Sequence, residues 1–336
     1  MRILIVRLSS LGDIVHAAPS LADIRRALPG AVVDWVVEEA FVPLVEGLAG
    51  VERVVPIALR RWRSRIFRSW GDVAAFRRVL REQRYDAVID LQGLVKSAVV
   101  ARWAQLAPGG ARHGLANRTD GAAYEPLARL AYAHRVAMPA RIHVVDRSRR
   151  LAAEALGYVV DGPPRVQWRL PTDAAVDSSW GNGRSVLLVH GSAKPVKLVP
   201  TGFWIDLGKA LAAEGCAVLL AWGTPVERER AIEIAAGIGA AASVPERLTL
   251  GPLLAAIARL RGCIGLDTGL THIAATLGLP TVQVFIEQKA WRAGIYWQPQ
   301  TVVLQADDGA LPAVAQVMAA WRRACRDPVP AAAGGA

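Results

Sequence analysis

The chain is poor in the features that mark several familiar protein classes. Its three cysteines, Cys216, Cys263 and Cys325, lie far apart in 336 residues and show no CxxC spacing. That excludes a disulfide framework and a cysteine-based zinc site, and leaves small buried side chains or a free thiol. No apolar run reaches the roughly 18 uncharged residues of a spanning helix, and the N-terminal stretch carries no small-residue cleavage site. A cytoplasmic location is the resulting expectation. GxGxxG follows neither opening strand and GxxxxGK[ST] is missing, which removes the main support for a nicotinamide oxidoreductase and for a P-loop enzyme. HExxH, a histidine cluster and the GxSxG elbow are also missing, so no motif supports a metal site or a serine hydrolase. No metal and no tightly bound cofactor are expected.

What the chain does have is core and positive charge. Hydrophobic residues make up 53% and charged residues 21%, a composition far from disorder. Its length suits two domains better than one core. The net charge of +11 is uneven: between Arg60 and Arg84 nine arginines and no lysine face only Asp72 and Glu82, a net charge of +7. Arginine favours bidentate recognition of phosphate or carboxylate. Trp62, Phe67 and Trp70 interleave with these arginines. Such a segment suits an anionic membrane surface, an amphiphilic anionic substrate or nucleic acid, and its bland alternative is a solvated helix face.

Residues 2–6 read as a strand buried on both faces of a parallel sheet. Ser9-Ser10-Leu11-Gly12-Asp13 follows, then a helical pattern through Ile14, Val15, Ala18, Leu21 and Ile24. Asp13 either caps that helix or stands as a carboxylate at the carboxyl end of a sheet, where ligands of open α/β folds bind. Further strands are predicted at 32–37, within 51–56 and at 87–91. Glu38-Glu39 after the second is a helix N-terminal acid pair or a pair of edge carboxylates. Gln92 to Ser97 forms a turn entering a helix, Gly109-Gly110 punctuates a loop-rich region, and a helix over 143–156 ends at Gly157. Alternating strands and helices predict a doubly wound α/β fold.

Pro-, Gly-, Asp- and Ser-rich stretches at 160–164 and 171–183 mark a linker. A second α/β series then begins, with strands at 186–190, 216–220, 263–266 and 281–285. Helices are expected from Thr201, around Glu227, over 248–260 and over 311–324. The reading is an N-terminal domain over 1–165, a linker region over 166–183, a C-terminal domain over 184–327 and a disordered tail over 328–336.

Asp267-Thr268-Gly269-Leu270-Thr271-His272 directly follows a buried strand, with glycine where a helix must start, so backbone N–H groups at a positive helix terminus form an anion site. Ser192 and Lys197 sit in the loop after the first strand of the same half. A lysine with a hydroxyl and helix N–H groups can hold a diphosphate without a metal. Lys194 and Lys197 are otherwise ordinary loop lysines.

The opening residues 1–6 with Ser9 to His16, Asp34-Trp35-Val36-Val37-Glu38-Glu39, Val51-Glu52-Arg53-Val54 with Arg60-Arg61-Trp62-Arg63, residues 85–90 with Gln92 to Ser97, and Asp267 to His272 together resemble the ADP-heptose:lipopolysaccharide heptosyltransferases. The similarity runs from residue 1 to about 285. It implies a GT-B fold, two Rossmann-like doubly wound domains facing each other across a cleft. It also implies inverting transfer of heptose from ADP-L-glycero-β-D-manno-heptose to a Kdo hydroxyl of Kdo2-lipid A.

By matched position, Asp13 would be the general base. Ser192 and Lys197 would contact the diphosphate, with Thr268, Gly269 and Leu270 as further donors. Glu227 would hold the ribose, Leu248 would lie against adenine, and Asp267 and His272 would orient the heptose. Ser10, Gly12, Arg60, Arg61, Arg63, Gln92 and Lys96 would meet the acceptor. The implied partners are ADP-heptose, Kdo2-lipid A and the anionic cytoplasmic face of the inner membrane, with no nucleic acid. The chain departs from the family's pattern at Val199-Pro200, where Trp-Pro is expected, and at Ile286-Glu287-Gln288, where Gly-Pro-Thr is common. A related transferase with another acceptor or nucleotide sugar, and a non-catalytic binder of anionic glycolipid or nucleic acid, remain the alternatives.

Overall fold

The computed structural model describes residues 1–64, 70–170, 178–181, 183–192, 194–307 and 310–326. Arg65, Phe67 and Arg68 of the basic segment, residues 171–177 of the linker and the tail over 328–336 lie outside these. The chain divides into two compact units, Met1–Arg169 and Leu170–Ala336.

The first unit begins with β1 (Arg2–Val6), α1 (Leu11–Ala27), β2 (Val32–Glu38), α2 (Val42–Glu46) and β3 (Arg53–Ile57). It continues with α3 (Leu59–Ser64), α4 (Trp70–Leu80), β4 (Arg84–Asp90), α5 (Val95–Trp103), β5 (Gln105–Leu115), β6 (His134–Val136) and α6 (Val144–Leu156). Its sheet is parallel in the order β3-β2-β1-β4-β5-β6. β1 is central, which is why Ile3, Leu4, Ile5 and Val6 are all fully buried. α1 is anchored to α6 by a buried ion pair, Arg149 Nε to Asp23 Oδ2 at 2.6 Å. That fixes the helix whose first turn carries Asp13. α6 ends on Gly157 at φ 73°, a left-handed cap that suits glycine.

Three expectations change here. Gly109-Gly110 lies inside β5, not in a loop: the β4–β5 register shifts between Tyr85 and Ala87, and a Cβ at Gly110 would sit 2.5 Å from the Tyr85 carbonyl oxygen. The glycine belongs to an irregular strand pairing. Trp62 is no surface aromatic; it is 8% exposed and packs edge-on to Phe76 at 5.7 Å. Trp70, 77% exposed, keeps the surface position expected of the aromatics in the basic segment, and Phe67 lies outside the described residues. The start of the expected linker is folded onto the first unit, where Leu48 bridges Trp168 and Ala49 N–H donates to the Gln167 carbonyl.

The second unit runs β7 (Ser185–Val189), α7 (Thr201–Ala213), β8 (Ala217–Leu220), α8 (Pro225–Ile238), β9 (Ala242–Ser243) and α9 (Leu250–Ile257). Then come β10 (Gly262–Leu266), α10 (Gly269–Thr276), β11 (Thr281–Phe285), α11 (Ala290–Ala293), β12 (Thr301–Gln305) and α12 (Val314–Ala324). The sheet is parallel in the order β12-β11-β10-β7-β8-β9. Read from its own first strand, this is the order of the first unit. Trp204 and Trp321 are fully buried in its core. α9 starts two residues later than expected, so Leu248 lies in the loop after β9. Among the described residues no helix is long and apolar enough to cross a membrane.

Candidate active site

In each sheet the strand order reverses beside the first strand, between β1 and β4 and between β7 and β10. The crevice outside the carboxyl ends at such a reversal is where open α/β sheets bind ligands. Both polar nodes of the sequence fall on these two points.

In the first unit, the loops leaving β1 and β4 are bonded to each other. The Leu8 N–H donates to Gln92 Oε1 at 2.9 Å, while Gln92 and Gly93 N–H groups donate to the buried Asp90 Oδ1 at 2.8 and 3.1 Å. Lys96 Nζ reaches Ser9 Oγ at 3.4 Å. Ser10 is the N-cap of α1, and its N–H and hydroxyl donate to Asp13 Oδ2 at 3.1 and 2.9 Å. Arg7 Nη2 lies 2.8 Å from Asp13 Oδ1, and Nη1 of the same guanidinium donates to the Leu91 carbonyl at 2.8 Å.

Asp13 is therefore a capping residue and a switch-point carboxylate at once. Its side chain is 32% exposed over an almost buried arginine. Burial pushes the carboxyl up, but the Arg7 charge, the Ser10 hydrogen bonds and His16 outweigh it and hold the group well below the usual carboxylate range.

Ser10, Gly12, Asp13, Gln92 and Lys96 are thus brought together around one turn. The arginines of α3 follow β3, and the first turn of that helix is tied to the end of the neighbouring strand, β2. Glu38 accepts from the Arg60 N–H at 3.0 Å, the Arg60 guanidinium lies over the Phe41 ring at 5.5 Å, and Arg61 sits 3.7 Å from both Glu39 and Asp72. Arg63 is exposed. Glu38 and Glu39 are accordingly occupied by local partners.

In the second unit, Lys197 donates to Asp267 Oδ2 and, at 3.1 Å, to the Asp267 carbonyl. His272 Nε2 lies 3.0 Å from Asp267 Oδ1. Burial alone would raise the Asp267 carboxyl, yet the His272 hydrogen bond and the Lys197 ammonium keep it well below the ordinary value. Thr268 is the N-cap of α10, so the first N–H groups of that helix, at Gly269 and Leu270, start beside the lysine. α10 sits hard against β10, since a Cβ at Gly265 would lie 2.3 Å from Thr271 Oγ1.

Ser192 Oγ accepts from the Lys194 N–H at 3.2 Å in the loop after β7. Glu227 Oε2 accepts from Gly223 and Thr224 N–H groups at 2.8 and 3.0 Å, capping α8. Its other oxygen would be 2.7 Å from a Cβ at Gly191, so the glycine admits Glu227 beside the loop after β7. A further carboxylate lies within the field of the node. A hydrogen bond from Lys289, with the charges of Lys289, Lys197 and Lys194, holds Glu287 below the usual glutamate range against partial burial.

The family model described as glycosyltransferase family 9 (heptosyltransferase) matches residues 73–320. The chain belongs to this family. Among relatives of this family 9 glycosyltransferase, lipopolysaccharide heptosyltransferase 1 of Pseudomonas aeruginosa is 38% identical over 303 residues, 89% of this chain and 82% of that protein. The E. coli heptosyltransferase WaaC with ADP superposes with a TM-score of 0.83 at 34% identity, covering 96% of this chain and all of that one. The same enzyme with ADP-2-deoxy-2-fluoro heptose gives 0.77 at 34%, covering 95% and 98%. The parallel sheets of the two units are those of the GT-B fold.

Three residues of this glycosyltransferase escaped the sequence reading. Arg7 was signalled by a charge between a fully apolar strand and a polar turn. Gln283 was signalled by an amide in the middle of the buried β11. Glu287 lies in the triplet that departs from the family pattern.

Proposed function

We propose that the protein transfers L-glycero-D-manno-heptose from ADP-heptose to a hydroxyl of the Kdo region of Kdo2-lipid A, with inversion, at the cytoplasmic face of the inner membrane. The observation carrying this reading is Lys197, held by Asp267 beside the N-terminus of α10 at a switch point. An ammonium next to unpaired helix N–H groups suits a departing diphosphate. The ligands named for the solved relative, ADP and an ADP-heptose analogue, have that chemistry.

The acceptor oxygen attacks the anomeric carbon, the carbon–phosphate oxygen bond breaks, and ADP leaves with the electron pair. Asp13 receives the hydroxyl proton. A carboxylate stabilised by Arg7 is a weak base for an alcohol, so the proton moves late, after attack has acidified it. Ser192, Thr268, Gly269 and Leu270 supply donors to the diphosphate, Glu227 a carboxylate to the ribose, Leu248 an apolar face to adenine, and His272 with Asp267 partners for the heptose. Gln92, Lys96 and the arginines Arg60, Arg61 and Arg63 suit an acceptor bearing carboxylates and phosphates.

The test is ADP release by purified protein given ADP-heptose and Kdo2-lipid A, with the anomeric configuration of the product read by NMR. Acceptor-dependent release with inversion is expected. Release that ignores the acceptor, or a retained anomer, overturns the reading.

A further inference from the structure

Gln283 lies in the middle of β11 between Val282 and Val284 and has no exposed surface. An amide in such a strand must have partners for both ends. Its oxygen accepts from the Ile295 N–H at 2.9 Å, which fixes the other end as the NH2 group. That group lies 2.9 Å from His272 Nδ1, so Nδ1 is the acceptor and carries no proton. A neutral imidazole then keeps its proton on Nε2, which points at Asp267 Oδ1. The second oxygen of Asp267 takes the Lys197 ammonium.

We propose that Gln283 is a positioning residue for the donor side of the reaction: by occupying Nδ1 it holds His272 as the Nε2–H tautomer, which pins Asp267 and thereby aims Lys197. The inference rests on reading the Lys197 node as the donor site. With the proton on Nδ1 instead, a ring lone pair would face the carboxylate, and Asp267 would lose the bond that orients it. Ligand-orienting histidines are commonly fixed by what their other nitrogen bonds. Here the outer partner is an amide locked from behind by a backbone N–H, and it bears no charge of its own. Neither Gln283 nor Ile295 belongs to the residues expected to touch the donor, so the effect is indirect.

The test combines histidine 15N NMR with kinetics. His272 is assigned by comparison with His272→Gln, and the wild-type ring should show a protonated Nε2 and an unprotonated Nδ1. Gln283→Met keeps the length and removes the bond. It should release the tautomer and raise KM for ADP-heptose about tenfold, the effect of one lost hydrogen bond, while KM for the acceptor stays put. Gln283→Glu should force a doubly protonated ring that still donates from Nε2, and should return the donor KM to within about threefold of wild type.

A protonated Nδ1 in the wild-type ring overturns the proposal without any variant. So does Gln283→Met with the wild-type tautomer and donor KM, or with equal rises in both KM values. If wild-type protein fails to bind ADP, the donor-site reading falls, while the tautomer spectra still decide whether Gln283 orients the His272–Asp267–Lys197 chain.

Discussion

Asp13→Asn separates the two tasks of one side chain. The substitution keeps the shape and one acceptor oxygen but removes the charge that faces Arg7 at 2.8 Å. Leaving a buried cation without its partner costs about 3–5 kcal/mol when both groups are buried. Asp13 is a third open to solvent, which reduces that to about 1–2 kcal/mol. Weakening the helix cap adds roughly 0.5 kcal/mol. A total near 2 kcal/mol lowers a melting temperature by roughly 5 °C in a unit of this size, and the protein stays folded at 25 °C.

Loss of a general base should cost about 10²–10⁴ in turnover. The assay is ADP release at saturating donor and acceptor, with ADP affinity measured by calorimetry as the control. ADP affinity should stay within about twofold, because the Lys197 node is built from other residues. Since Arg7 and Ser10 hold the Asp13 carboxyl below its ordinary range, the acid limb of acceptor kcat/KM should fall below about pH 4. A variant that keeps more than a tenth of wild-type turnover, or an acid limb near neutrality, refutes Asp13 as the base.

Lys197→Met should weaken ADP binding about 10- to 100-fold, as expected for a lost charge-assisted contact, with acceptor KM unchanged; calorimetry and initial rates check it. Burial and the nearby Arg230 charge push His190 down to about 4 from an ordinary 6.5, so the native state prefers the neutral ring. Its contribution is complete above pH 6.5 and is lost as pH falls toward 4, a change of roughly 3 kcal/mol. Urea titrations across that range should show the loss, and His190→Asn should shrink it without abolishing it, because burial and His134 also push His113 down to about 4. Trp62→Ala should cost about 3–5 kcal/mol by the same titration, whereas Trp70→Ala on the exposed face should cost under about 0.5 kcal/mol.

Much of the fold is legible where strands are short, apolar and central, as with β1, β7 and β10, whose burial on both faces leaves continuous hydrophobic runs. The irregular β5 was not: Gly109-Gly110 reads as punctuation until the shifted pairing with β4 shows that Gly110 avoids a carbonyl. Trp62 misled because spacing among arginines says nothing about which way α3 turns its face. At the site, the polar residues next to strand ends were visible in sequence, since chain order alone brings Asp13 close to β1 and Asp267 close to β10. Arg7 and Gln283 were not, because each acts on a partner that only the folded turn after β1 or the packing of α10 on β11 brings near, and Glu287 was not, because its approach to the Lys197 node is set by the fold.

The equal strand order of the two units has a practical consequence. One topology carries a carboxylate resting on a buried guanidinium in the first unit, and an ammonium resting on a largely buried carboxylate in the second. The polarity of each crevice is therefore written chiefly in the loops after two strands, with Asp90 at the end of β4 and Gln283 of β11 holding those loops and α10 from beneath. On the proposed function, redesign for another acceptor would work on the segments after β1, β3 and β4, and redesign for another nucleotide sugar on those after β7, β8, β9 and β10, with every strand left as it is.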